Sequence, residues 1–248
     1  MAATISIVIP AYNEATRLPG TLKKIDEYAS TGEVAIAEVI VVDDGSRDET
    51  AKIPARRSTK VRVRVVSYGQ NSGKGYAIRR GIIEAKGDLV LISDADLSTP
   101  VSEVVKLTKA LESFDIAIGS RAVDRSLVRV SQAWYRDRGG RVINVLMKCI
   151  TGMPYNDTQC GFKLLPADVA REIAREAVVD GFAWGVEYLL LAGRLGFSVT
   201  EVPVLWFNAP GSKVSLFRDP LKMLWDMLRL RLRLGAFQRV APGTKRVR

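Results

Sequence analysis

The sequence predicts an α/β protein built on a mainly parallel sheet flanked by helices, with an amphipathic helix near its C-terminus. Three observations carry this. Short β-rich runs alternate with helical stretches over the first part of the chain. Several of these runs are apolar almost throughout, as strands buried on both faces are. The chain has 248 residues, 47% of them apolar, enough to bury a sizeable core in one large domain or two small ones.

Residues 4–9 form the first β-rich run, ended by Pro10. An amphipathic helix is expected over 17–29. Residues 38–42 are a near-continuous apolar strand running into Asp43-Asp44-Gly45-Ser46. A third strand covers 61–66, where basic residues alternate with valines, and 73–85 reads as a helix. Residues 88–93 and 115–119 are further strands. Ligands on such sheets bind beyond the carboxyl ends of the strands. Residues 10–14, 43–46 and 94–96 all fall there, so three polar clusters should share one crevice.

The second half is less regular. Helices are expected over 136–150, 167–177 and, buried, 184–195; residues 197–205 look like a strand broken by Pro203. There is no internal repeat and no low-complexity segment. Asp219-Pro220 is a good helix start, an N-cap followed by proline at the first helical position. Residues 221–234 are then mostly Leu, Met and Trp, with Lys222, Asp226, Arg229 and Arg233 on one helical stripe and Arg231 elsewhere. Strict alternation over 228–234 leaves a strand open. As a helix the segment reads either as interfacial, lying in a membrane surface, or as packed on the domain with its arginines in water.

Charge favours the first reading. The net charge is +10, yet residues 1–226 hold 30 basic and 27 acidic residues, a net of only +3. The remaining seven basic residues follow Asp226 with no acidic partner. A nearly neutral body argues against a broad nucleic-acid face. A basic tail suits a local anionic contact, where each basic residue near an anionic leaflet contributes on the order of 1 kcal/mol. Met-Ala-Ala-Thr lacks the basic region of a secretory signal, and no stretch reaches the roughly 18 apolar residues of a membrane span. A cytoplasmic protein, peripheral on the cytoplasmic membrane face, is expected.

The chain has no histidine and two cysteines, Cys149 and Cys160. This excludes Ser-His-Asp and Cys-His nucleophile systems, histidine-ligated zinc and an imidazole base. Chemistry falls mainly to Asp, Glu, Lys, Arg and Tyr. Asp94-Ala95-Asp96 follows a buried strand, where two carboxylates can share a hard cation such as Mg²⁺ or Mn²⁺; the alternative is a solvated turn. Asp43-Asp44-Gly45-Ser46 can accept hydrogen bonds from a ribose or base, or be a plain turn with Gly45 at positive φ. Residues 69–80 resemble a phosphate loop, but the Gly69 to Gly73-Lys74 spacing is one residue short and Gly75 replaces Ser or Thr. Pro10-Ala11-Tyr12-Asn13-Glu14, in place of a glycine turn, excludes the dinucleotide fingerprint. Lys74, at a glycine-rich helix start, is still placed to meet phosphate.

Taken in order, Pro10-Ala11-Tyr12-Asn13-Glu14, Val42-Asp43-Asp44-Gly45-Ser46, residues 71–75 and Asp94-Ala95-Asp96 resemble family 2 glycosyltransferases with the GT-A fold. Asn156-Asp157-Thr158-Gln159-Cys160-Gly161-Phe162-Lys163 looks like the signature of polyprenyl- and dolichyl-phosphate sugar synthases. Arg17-Leu18-Pro19, Gly211-Ser212-Lys213 and the ending Arg229-Leu230-Arg231-Leu232-Arg233 look most like dolichyl-phosphate β-glucosyltransferases. The resemblance covers about residues 4–237.

The resemblance implies UDP-glucose as donor and a polyprenyl or dolichyl phosphate as acceptor, with inversion at the anomeric carbon. It implies that Pro10, Tyr12, Glu14 and Asp44 hold the nucleotide, with Lys74 and Ala95 beside them. Asp94 and Asp96 would bind a Mg²⁺ or Mn²⁺ diphosphate. Arg121 and Arg136, with Ser212, would face the acceptor phosphate, and Lys213 would reach the donor diphosphate. Asp157 would lie nearest the reacting centre, orienting a substrate or taking a proton. The implied layout is a catalytic domain over 1–218 (nucleotide-sugar half 1–120, acceptor half 121–218), an interfacial helix over 219–236 and a basic tail over 237–248.

Two local departures stand out. Gly185 stands where relatives often carry Asp. Phe207-Asn208-Ala209-Pro210 lacks an Arg common in mannosyl relatives, which argues for glucose. The alternatives are a GDP-mannose-dependent mannosyltransferase, a family 2 enzyme with a non-lipid acceptor, and a membrane-attached nucleotide-sugar binding protein.

Overall fold

A computed structural model describes residues 3–56, 60–130, 134–209 and 218–241. Strands β1 (Thr4–Ala11), β2 (Ala35–Asp43), β3 (Arg62–Ser67) and β4 (Leu89–Ile92) come first, with α1 (Leu18–Ala29) after β1 and α2 (Lys74–Glu84) after β3. Helix α3 (Val104–Ala110) leads into β5 (Ile116–Ser120). Then follow β6 (Val128–Val130), α4 (Trp134–Thr151), β7 (Lys163–Pro166), α5 (Ala167–Glu176), α6 (Trp184–Arg194), β8 (Val199–Pro203), β9 (Trp206–Phe207) and α7 (Arg218–Leu234).

Seven strands make one sheet in the order β3-β2-β1-β4-β7-β5-β8. All neighbouring pairs are parallel except those of β7, which runs antiparallel between β4 and β5. Strands β6 and β9 form a separate parallel pair. The apolar runs are continuous because both faces are covered. Val8, Ile40 and Val42 point into a core shared with α2, α5, α6 and α7. Ile5, Ile7, Ile9, Val39 and Val41 point into a second core with α1 and α3. The arginine–valine alternation of β3 has a local cause: Arg64 Nε donates to buried Glu38 at 2.8 Å across the β2–β3 pair.

The mainly parallel sheet, the expected strands and the expected C-terminal helix are present. Helix α3 and the short strands β6 and β7 were not legible. Within the run over 197–205, β8 ends at Pro203, where the break was expected, and β9 beyond it was not legible. The alternating run 228–234 is helical, because Met223, Met227 and Leu230 share one helix face that is buried in the core. Its opposite face stays exposed at Leu221, Trp225, Leu228 and Leu232. Among the described residues no helix is long and apolar enough to cross a membrane.

Candidate active site

Strands β2, β1 and β4 are adjacent, so their C-terminal ends open on one crevice. Its walls are tied together by the chain itself. Asn13 N–H donates to Ser46 Oγ (2.9 Å), Arg47 N–H to Asn13 Oδ1 (2.7 Å) and Glu14 N–H to Thr50 Oγ1 (2.7 Å). Pro10 and Tyr12 are partly exposed there, and Glu14 is buried with Arg17 Nε 2.8 Å from its carboxylate. Among the described residues two non-glycine positions have positive φ, Asn13 at 52° and Leu97 at 46°. Asn accepts this region readily, whereas Leu pays for it. Leu97 follows Asp96 directly, so the carboxylate turn is the strained one.

Asp44 is turned inward. Its carboxylate accepts from Tyr68 OH (2.9 Å), Asn71 Nδ2 (2.8 Å), Ser72 N–H (2.7 Å) and Gly73 N–H (2.9 Å). It therefore holds the loop before α2, and any hold on a nucleotide runs through that loop. The start of α2 is also occupied: Gly75 and Tyr76 N–H donate to Asp180 O (2.7 and 3.3 Å). Lys74 would meet phosphate through its ammonium, which lies 2.5 Å from Asp94 Oδ1.

Asp94 and Asp96 close the crevice after β4. Asp96 Oδ1 accepts from Ser98 N–H (2.9 Å), and Arg17 reaches to 4.0 Å of Oδ2. The carbonyl of Ala95 accepts from Thr21 on α1 at 2.5 Å. Burial pushes the Asp94 carboxyl up, but Lys74, Arg121 and Lys163 together hold it below the ordinary carboxylate range. Asp94 lies against Gly161: a Cβ there would come within 2.6 Å of its Cγ. A cleft of about 370 Å³ opens beside Asp96, with Tyr28, Leu97, Val101 and Phe207 among its walls.

On the far side, β5 ends at Ser120 and presents Arg121. Asp157 clamps it, accepting from Arg121 Nε (2.6 Å), Nη2 (2.8 Å) and N–H (3.0 Å), and also from Gln159 and Cys160 N–H (3.2 and 3.1 Å). Burial raises the Asp157 carboxyl, yet the Arg121 charge and its hydrogen bonds outweigh this and bring it down to about 2. The Arg121 guanidinium sits 5.4 Å from the Trp206 ring centroid. Lys163, on β7, is buried; its ammonium donates to Thr158 O (3.1 Å) and Cys160 O and lies 5.2 Å from the Trp184 ring. Gly185 leaves room for this, since a Cβ there would lie 2.6 Å from Thr158 O. Glu201 accepts from Asp157 N–H, Asn156 N–H and Ser120 Oγ (2.8, 2.8 and 2.9 Å).

Residues 6–174 match the family model described as Glycosyl transferase family 2. The chain belongs to that family. The dolichyl-phosphate beta-glucosyltransferase of Mus musculus is 36% identical over 245 residues, covering 92% of this chain and 75% of that protein. That of Dictyostelium discoideum is 35% identical, with 92% and 74% covered. Among solved structures, glucosyl-3-phosphoglycerate synthase from Mycobacterium tuberculosis, in complex with Mn²⁺, UDP and phosphoglyceric acid, superposes with a TM-score of 0.70 at 21% identity. It covers 94% of this chain and 79% of its own, and shows that the fold is GT-A.

In this family 2 glycosyltransferase, Asp94, Asp96, Lys74, Arg121 and Asp157 are brought to one crevice, with Pro10, Tyr12, Glu14 and Asp44 at the ends of β1 and β2 beside it. The side chain of Arg136, on α4, and Ser212 and Lys213 lie outside the described residues. Sequence reasoning gave no role to Lys163, Glu201, Tyr68 or Trp206. Tyr68, Glu201 and Trp206 act through groups distant in the chain, whereas Lys163 turns back onto the carbonyls of Thr158 and Cys160 in the loop just before it. The one local signal was a lysine inside an apolar strand run. Among the described residues no group of three or more metal-binding side chains occurs. Two carboxylates fit Mg²⁺ or Mn²⁺ nonetheless, since such ions take one or two carboxylates and complete their shell with phosphate and water.

Proposed function

We propose that this enzyme transfers glucose from UDP-glucose to a polyprenyl or dolichyl phosphate, with inversion to a β-linked lipid-phosphate sugar. The observation that carries the acceptor class is the Asp157–Arg121 clamp. Asp157 has its oxygens filled by five donors and its carboxyl held at about 2, so it is a poor proton acceptor near neutral pH. Glu201 is likewise engaged, and the chain has no histidine. A hydroxyl acceptor would need a base; a phosphate monoester is already anionic, its second pKa being about 6.

Arg121, fixed by Asp157 and backed by Trp206, would hold the acceptor phosphate against the repulsion of the donor diphosphate. Asp157 is then a positioning residue. Lys74 would steady the donor diphosphate. A divalent cation bound by Asp94 and Asp96 would supply Lewis-acid stabilisation of the departing UDP. The apolar walls of the cleft beside Asp96 suit the first units of an isoprenoid chain. The 36% identity to a dolichyl-phosphate beta-glucosyltransferase supports glucose and the lipid phosphate. The exposed apolar face of α7 and the basic tail support a peripheral site on the cytoplasmic membrane face.

A donor panel tests the sugar. Purified protein with polyprenyl phosphate in detergent is incubated separately with labelled UDP-glucose and GDP-mannose, with and without a chelator. Organic-soluble label from UDP-glucose, lost on chelation, is expected. Label from GDP-mannose alone would overturn the donor assignment.

A further inference from the structure

Helix α7 has three faces. Met223, Met227 and Leu230 are buried in the core. On the opposite side Leu221 (70% exposed), Trp225 (55%), Leu228 (42%) and Leu232 (88%) form an apolar stripe at helical spacing. Between them runs the flank Lys222, Asp226, Arg229 and Arg233. This flank does not simply face water: with residues 178–181 it encloses a cavity of about 240 Å³.

The cavity's charges are unevenly committed. Arg233 reaches buried Glu187 at 3.4 Å, whose carboxylate also accepts from Val178 and Val179 N–H (2.8 Å each). Asp180 pairs with Arg79. Among the described residues, Lys222 and Arg229 form no ion pair; Arg229 stacks 4.9 Å from the Trp225 ring centroid. Three cations thus line one hollow with Asp226 and the Arg79-paired Asp180, beside a stripe that would lie at the boundary of the acyl chains. A phosphodiester at headgroup depth is the anion that matches this charge and this position.

We propose that the cavity between α7 and residues 178–181 binds the phosphate of an anionic phospholipid headgroup, with Lys222 and Arg229 as its principal contacts. This rests on the reading of α7 as interfacial. It makes membrane attachment a recognition event with a defined pocket, distinct from diffuse attraction of a basic tail. The pocket is separate from the crevice that holds Asp94, Asp96 and Arg121.

Co-sedimentation of the full chain with phosphatidylcholine vesicles, with and without phosphatidylglycerol, tests it. Two variants are compared with wild type: Lys222→Gln/Arg229→Gln, and Gly181→Leu. A Cβ on Gly181 has Asp226 and Lys222 at 3.8 Å as its nearest neighbours, so the larger side chain fills the cavity without altering charge. Wild type is expected to prefer the anionic vesicles. Both variants should lose about tenfold of that preference while keeping their binding to phosphatidylcholine. Preference unchanged in Gly181→Leu would show plain surface electrostatics and overturn the pocket. Inorganic phosphate at matched ionic strength should compete and reduce the wild-type preference; equal binding to both vesicle types in its absence would overturn the lipid headgroup as the ligand. Binding to neither vesicle would overturn the pocket together with the interfacial reading of α7. Transfer in detergent, measured alongside, reports separately on the enzymatic reading.

Discussion

Asp157 and Arg121 act as one unit. The carboxylate is spent on fixing a guanidinium, and the guanidinium in turn keeps the carboxylate ionised. Replacing Asp157 by Asn should leave Arg121 buried without its counter-charge. Breaking such pairs costs about 3 kcal/mol or more when fully buried, and less here because Arg121 is 29% exposed. The sign with pH follows from a depressed carboxyl. Its contribution is complete above the unfolded value near 4 and fades as pH falls through about 2. Urea unfolding of wild type and Asp157→Asn should therefore differ at pH 7 and converge between about pH 4 and 2. A constant difference across that window would show that the carboxylate charge is not what matters. Gly161 offers a second test. Its missing Cβ makes space for Asp94, so Gly161→Ala should lower kcat/KM by about tenfold or more, with little change in Tm. Unaltered turnover would mean that Asp94 tolerates displacement. Asp94 was legible because its cluster follows a recognisable strand, whereas Asp157 was singled out only by the family resemblance of the segment around it. Glu201 was not legible, because it accepts from Asp157 N–H, 44 residues earlier in the chain, and Lys163 was not, because its partners are carbonyls of a loop with no periodic pattern.

Helix α2 joins the two halves of the site. Its first turn is capped by the carbonyl of Asp180, and its first residue, Lys74, reaches Asp94. Gly75 is required by that approach, since a Cβ would run into the carbonyl of Val179. Gly75→Ala should push residues 178–181 away and leave two amide donors without partners, costing about 1–3 kcal/mol for each group that stays buried. Thermal unfolding and UDP affinity measured together check this: both should fall. Wild-type Tm would contradict the tight packing. The glycine-rich stretch was visible in the sequence, but its partner, a loop about 100 residues later, was not. Strand β7 escaped for a similar reason. It has four residues, and its antiparallel insertion between β4 and β5 is decided by neighbours distant in the chain. Helix α7 shows local pattern yielding to packing: the alternating run 228–234 fits a strand, yet burying Met223, Met227 and Leu230 together requires a helix.

Two cores pack on either side of the sheet, while the side of the crevice around Arg121 is assembled with segments of the second half. The continuous apolar strands announced the sheet, and the polar clusters after them announced the crevice. What only the assembled molecule reveals is the equipment beside Arg121: a cation fixed by Asp157, and the carboxylates of Asp157 and Glu201 both engaged by hydrogen bonds. That equipment suits an acceptor that arrives as an anion. The decisive measurement is transfer from labelled UDP-glucose to polyprenyl phosphate and, in parallel, to the corresponding polyprenol in the same detergent. Organic-soluble label with the phosphate and none with the alcohol is the expected result. Equal transfer to the alcohol, or label confined to water-soluble products, would contradict it.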